Sequence, residues 1–199
     1  METIIAKDSK TYSIAEYLSM EDSSVEKHEF FNGKIIKMAG AKPNHNIIAA
    51  NIITALNIAV ENKEKEYFVL NSDSKIFSPR FNSFLYPDAV VICEQIEMYP
   101  GSSTVISNPL LIVEVLSPST EEYDRTGKFY AYKSIPSFKE YLLVWQTEPS
   151  VTASFKIGIQ AWQDTEADGL DSSIYLQSID CTIDLKKIYR GIKFAENLK

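Results

Sequence analysis

Positive charge is in short supply along this chain: 20 Lys and Arg stand against 27 Asp and Glu, for a net charge of −7. Proteins that coat nucleic acid nonspecifically draw their affinity from neutralising phosphates, so the balance disfavours that class. Cysteine is scarcer still. Cys93 and Cys181 are too few and too far apart for a disulfide framework or a cysteine metal site, and both are expected to be reduced core residues. No apolar run approaches the roughly 20 residues needed to span a bilayer. Residues 1–10 carry neither the basic nor the apolar stretch of a secretory leader, so the expectation is a cytoplasmic chain without membrane contact. Internal repeats, low-complexity linkers and a Gly-rich phosphate loop are all missing. The last absence disfavours hydrolysis of small phosphorylated substrates.

What is present is an ordinary globular composition, 45% hydrophobic and 24% charged over 199 residues, enough for a single domain (1–199) with a real core. Charge is uneven. Residues 25–46 are locally basic, with Lys27, Lys34, Lys37 and Lys42 against Glu26 and Glu29. Residues 158–185 hold acids and no Lys or Arg; Asp164, Glu166, Asp168 and Asp171 among them are expected in a solvated loop.

Ser13 and Glu16 fit a capping box that opens a short helix to about Met20. Asn32-Gly33 between the apolar runs 28–31 and 34–38 predicts a hairpin. A helix beginning at Asn44 or His45 carries Ile48, Ile52, Ala55, Leu56 and Ala59 at the spacing of a buried face. Strands are expected over 67–71, 74–77, 86–93, 110–116 and 140–145. Antiparallel strands follow at 151–157 and 174–179, and Asp184 is placed to cap a short helix over 185–189. A helix from Ser119-Thr120 to about Ser134 links 110–116 to 140–145, which implies a parallel crossover. The fold class is therefore α/β or α+β: a mixed central sheet flanked by helices, with an N-terminal hairpin and C-terminal antiparallel strands.

Chemistry concentrates at two acids. Glu114 sits among Leu110, Leu111, Ile112, Val113, Val115 and Leu116, where an unpaired ion costs several kcal/mol. A buried Lys or Arg, a raised pKa or a metal cation must hold it. Asp88, after Pro87, heads a second apolar run, and two carboxylates on adjacent strand ends suit Mg²⁺ or Mn²⁺. On the helix after Glu114, Asp124, Lys128 and Tyr132 share a face. A lysine beside metal-bound carboxylates can orient water and stabilise negative charge on a phosphate, which suits phosphodiester hydrolysis. Plainer structural uses exist for each residue. Glu114 could pair with Lys128 or Arg125, Glu29 could pair across the hairpin with Lys34 or Lys37, and His45 could cap its helix.

Pro87-Asp88, the run from Glu114 to Thr120 (Glu-Val-Leu-Ser-Pro-Ser-Thr), and Asp124-Arg125 with Lys128 and Tyr132 resemble the Uma-type restriction endonucleases. Residues 29–35, His45 and the strand 140–144 extend the resemblance to about residues 12–190. It implies the restriction-endonuclease-like fold of the PD-(D/E)xK nuclease superfamily and metal-dependent cleavage of DNA, with Mg²⁺ or Mn²⁺ as cofactor. By the same resemblance Asp88, Glu114 and the Val115 carbonyl would be metal ligands. Leu116 stands where the superfamily lysine belongs, and Lys128 would replace it from the helix. Glu29 and His45 would border the same cleft. DNA is the implied substrate, and a homodimer is left open. The rival reading keeps the fold without catalysis, as a module that binds nucleic acid or a protein partner.

Overall fold

The computed structural model describes residues 10–194, so the opening segment read above for a leader lies outside the described residues except for Lys10. Helix α1 (Ile14–Ser23) begins on a reciprocal cap: the Glu16 N–H donates to Ser13 Oγ and the Ser13 N–H donates to the Glu16 carboxylate. Strands β1 (His28–Phe31) and β2 (Lys34–Lys37) pair as a hairpin. Its two turn residues, Asn32 and Gly33, have φ of 50° and 80°, as a two-residue turn of this kind requires. Helix α2 (Pro43–Val60) starts slightly earlier than expected, with Pro43 in a first turn where its missing N–H costs nothing. Ile48, Ile52, Ala55 and Leu56 are buried, as their spacing demands.

Strands β3 (Tyr67–Asn71), β4 (Lys75–Ser78), β5 (Ser83–Leu85), β6 (Ala89–Cys93), β7 (Val105–Ile106) and β8 (Leu111–Leu116) follow. A continuous helical stretch comes next: α3 (Glu121–Tyr123), a π turn over Asp124–Lys128, and α4 (Phe129–Tyr132). Then come β9 (Glu140–Trp145), β10 (Ser150–Lys156), β11 (Trp162–Asp168), β12 (Ser173–Leu176), β13 (Cys181–Asp184) and α5 (Leu185–Ile188). A six-stranded sheet has the order β11-β10-β9-β8-β6-β3, a five-stranded sheet has β2-β1-β5-β4-β7, and β12 pairs with β13. β8 and β9 are parallel across the helical connection, while β6 and β10 flank them antiparallel. The architecture is mixed α+β, as the pattern of runs implied.

β8 sets the layers through its period of two. Leu111, Val113 and Val115 face the core built with α2 and α5. Ile112 and Leu116 face the opposite core, shared with Ile76, Leu85 and Tyr132. Glu114 belongs by parity to this second face. The five-stranded sheet is tied to α1 by Tyr17, Phe30 and Phe84, with Tyr17 and Phe30 stacked at 4.9 Å. No described helix is long and apolar enough to cross a membrane.

Several local expectations need correction. Asp164, Glu166 and Asp168 lie on β11 rather than in a loop. β11 is an edge strand, and exposed acids there discourage pairing with other chains. Asp171 alone of that group stays in a turn. Residues 86–93 are not one strand: the ladder stops at Ala89, and Tyr86-Pro87-Asp88 links β5 to β6. Asp184 precedes α5 but makes no capping bond; its carboxylate pairs with Lys187 at 3.2 Å. Cys93 and Cys181 are free but only half-buried.

The π turn depends on a glycine. A Cβ added at Gly127 would come within 2.8 Å of the Tyr123 ring one turn earlier. Tyr123 also packs edge-on against Phe31 at 5.9 Å and cannot withdraw freely. Gly127→Ala is therefore expected to lower unfolding free energy in urea by about 1–3 kcal/mol, the usual scale of overpacking.

Candidate active site

Pro87 has no N–H to continue the β6 ladder, and Asp88 takes over there. Its N–H donates to the Val113 carbonyl (3.1 Å), and its Oδ2 accepts the Val115 N–H at 2.7 Å. The last β6–β8 pair is Ala89 with Val113, so Asp88 and Glu114 are the next residues at the same ladder end. Asp88 Oδ2 also lies 3.2 Å from His45 Nε2, presented by the first turn of α2. Burial works against a charged imidazole, but Asp88 outweighs it and holds the His45 pKa above its ordinary value.

Glu114 is 3% exposed. Its Oε1 accepts from Lys128 Nζ at 3.2 Å and from the Tyr132 hydroxyl at 3.1 Å. The helical segment crosses the same face of β8 that carries Glu114 and Leu116, so the ammonium reaches from the helix to a place the buried Leu116 side chain cannot serve. Two further carboxylates converge on it. Glu29 Oε1, from the other sheet, is 3.2 Å away, and Asp124 Oδ1 is 3.1 Å away. Glu29 also accepts the Tyr86 N–H at 3.2 Å. It does not pair across the hairpin; Lys37 pairs with Glu26 instead. Arg125 is exposed and pairs loosely with Glu121 at 3.7 Å.

Three carboxylates thus surround one buried ammonium. Burial, together with Asp124, Asp88 and Glu29, pushes the Glu114 carboxyl well above the usual range, against the pull of Lys128. Burial alone would lower Lys128, but Glu114, Glu29 and Asp124 together outweigh it and keep the amine charged. The two shifts have different consequences: Lys128 keeps its ordinary positive charge, while the carboxyl of Glu114 is the one whose protonation the crowding of negative groups favours.

The donor chemistry fits a hard divalent cation. Every recorded contact of Glu114 uses Oε1 and every one of Asp88 uses Oδ2. Among the described residues, no hydrogen bond engages the other oxygen of either group. His45 Nδ1 and the Tyr123 hydroxyl are buried polar atoms without hydrogen-bond partners among the described residues, a pattern that marks unfinished polar environments; Asp124 Oδ1 is met by the Lys128 ammonium alone. Among the described residues, no three His, Cys, Asp or Glu side chains form a closed metal cluster. Two carboxylates and a backbone carbonyl, completed by water, remain the available set, and Mg²⁺ usually keeps several waters. Tyr123 was not singled out by the sequence, nor was Gln146. Gln146 lies just beyond β9, donates its N–H to the Leu116 carbonyl and carries a buried, unpartnered Oε1. A buried polar residue at a strand end is the only signal that could have found it.

Comparison with known proteins bears on family and fold. The family model Uma2, described as "Putative restriction endonuclease", matches residues 14–185. Two uncharacterized proteins of Synechocystis sp., sll1609 and slr1290, are each 36% identical to this chain, over 171 and 179 residues. The matches cover 86% and 90% of this chain and 96% and 92% of theirs. The crystal structure of a protein titled as a putative nuclease belonging to DUF820, from Anabaena variabilis, superposes with a TM-score of 0.70. That match covers 88% of this chain and 96% of the other, and at 16% identity it is a likeness of fold.

The cage makes opposite demands of its two charges. Glu114→Gln removes one desolvated carboxylate and is expected to leave stability unchanged or about 1 kcal/mol higher. Lys128→Ala strands three carboxylates and should cost about 3–5 kcal/mol. Urea unfolding of the two variants checks this; a Glu114→Gln protein that unfolds would mark Glu114 as a purely structural partner of Lys128.

Proposed function

The chain belongs to the Uma2 family of putative restriction endonucleases, and from that premise we propose that it is a metal-dependent endonuclease-like hydrolase acting on DNA phosphodiester bonds. The observation that carries this reading is the cage itself: Glu114 at a strand end beside Asp88, with the Lys128 ammonium drawn in from the following helix. Asp88, Glu114 and the Val115 carbonyl would hold Mg²⁺ or Mn²⁺. A bound cation of this type acidifies its water and polarises a phosphoryl oxygen. The remaining work falls to the chain's own groups. His45 and the Val115 N–H fix the Asp88 carboxylate through Oδ2, and among the described residues no hydrogen bond engages Oδ1. The Tyr132 hydroxyl and Lys128 fix Glu114 in the same way. Glu29 and Asp124 keep Lys128 protonated, ready to meet negative charge developing on a phosphate.

One observation favours the non-catalytic alternative: Lys128 already has three carboxylates as partners. Cleavage assays decide between the two. Lys128→Ala, assayed at a temperature where it stays folded, should lose about 100-fold or more of Mn²⁺-dependent cleavage of plasmid DNA, the scale of losing one oxyanion-stabilising group. A wild-type protein that binds neither Mg²⁺ nor Mn²⁺ by calorimetry would favour the binding module.

Proton linkage supplies a second test. A carboxyl raised above its unfolded value contributes stability that is full below that value, near 4.5, and is lost as pH rises through the folded value. His45, also raised, acts in the same direction from 6.5 upward. The metal-free protein should therefore lose stability as pH rises above about 5, and Glu114→Gln should lose less. Mg²⁺ competes with the Glu114 proton, so the rise in melting temperature on adding it should grow with pH.

A further inference from the structure

Beside the cage runs an open cleft of about 540 Å³ that the proposed chemistry does not use. Its position is set by the site: Phe31 stands two residues beyond Glu29 on β1, and Gly127, directly before Lys128, also lines it. One wall is a ladder of rings. Phe31 and Phe81 have centroids 5.1 Å apart, and Phe81 and Tyr130 are 6.2 Å apart. The Arg80 guanidinium lies 3.7 Å from the Tyr130 ring centroid and donates to its hydroxyl. The Lys133 ammonium, also in the lining, sits 3.8 Å from the centroid of Phe129.

Three features separate this surface from an ordinary polar face. Phe81 and Tyr130 are 37% and 48% exposed, an unusual use of large rings. Phe81 is presented from a left-handed backbone (φ 61°), followed by Asn82 (φ 47°), a costly conformation for an aromatic residue that persists where function requires it. Arg125 and Lys133 line the cleft and Arg80 stacks on its Tyr130 wall, in a chain of net charge −7; Arg125 pairs loosely with Glu121 beyond the lining, and among the described residues no acid lines the cleft itself.

From these features we infer that the cleft takes the bases of an unpaired stretch of DNA, beside the Asp88–Glu114 site; the inference rests on the nuclease reading above. Exposed rings gain from a base face, which every unpaired base offers and a duplex hides. The adjacent cations meet the phosphates of the same strand. Three cations are few beside the roughly 6–10 phosphate contacts of a strongly salt-dependent duplex binder. The two hydroxyls of the lining are already engaged, Thr126 donating to the Glu122 carbonyl and Tyr130 accepting from Arg80, which leaves rings and cations rather than free polar groups to read a ribose 2′-hydroxyl and favours DNA over RNA.

Fluorescence anisotropy on the metal-free full chain tests this with an oligo-dT of about 12 nucleotides, within the range such sites occupy. It should bind about 10-fold tighter than a duplex or an abasic strand of equal length. Phe81→Ala and Tyr130→Ala should each weaken it about 10-fold without shifting the melting temperature. Three phosphate contacts give a log–log salt slope near about −2, which Lys133→Ala should reduce by about 0.7. Equal binding of the abasic strand, or preference for duplex, overturns the inference; oligo-rU binding as tightly as oligo-dT overturns the choice of DNA. Binding is measured without metal, so the two readings fail separately. Ring-dependent binding with no Mn²⁺-dependent cleavage removes hydrolysis and leaves the cleft. Cleavage that persists with binding indifferent to Phe81 and Tyr130 removes the cleft and leaves hydrolysis.

Discussion

One ammonium ties this molecule together. Lys128 Nζ contacts carboxylates from three separate elements: Glu29 on β1, Glu114 on β8 and Asp124 in its own helical stretch. The five-stranded sheet, the six-stranded sheet and the crossover helix therefore meet at a single buried charge. In a low-dielectric interior such a contact is worth keeping only when its geometry is good and its lone pairs are used. Here Tyr132 and the Tyr86 N–H supply those further bonds. The arrangement is poised rather than relaxed, since three carboxyl groups face one ammonium. That surplus suits a group whose task is to receive a cation or a proton.

The backbone prepares the rest of the site by ordinary means. Pro87 ends a ladder, and Asp88 satisfies the N–H that the ladder leaves exposed. The same carboxylate is then held in place by the strand it serves. The π turn, made feasible by Gly127, brings Asp124 and Lys128 into contact while Lys128 reaches Glu114. Such turns recur at functional sites because they re-aim side chains without ending the helix. Tyr123 links this turn to Phe31, so the aromatic wall of the cleft is packed directly against the cage.

Much of this was legible in the sequence, because much of it is local. The Ser13–Glu16 cap, the Asn32-Gly33 turn, the buried stripe of α2 and the apolar run around Glu114 each depend on neighbours a few residues away. A carboxylate in an aliphatic strand announces a partner without saying which one. The pairing of Asp88 and Glu114 at one ladder end follows from strand adjacency, and Lys128 from helical spacing after β8. The exposed acids of β11 were misread because polar runs resemble loops, whereas an edge strand tolerates them once β10 offers its hydrogen bonds.

What the sequence by itself determined is therefore most of the elements, the face that the apolar ones bury and the two acids, Asp88 and Glu114, proposed for the site. Only the tertiary structure decided which charges share a cage. Glu29 reaches Lys128 across about a hundred residues of chain, and neither spacing nor periodicity carries that information. The same holds for Phe31, Phe81 and Tyr130, which are scattered in sequence and form one wall in space. Patterning acts through the short-range geometry of helix and strand. Coulomb energy and packing act through distance in space, which exists only once the sheets have met.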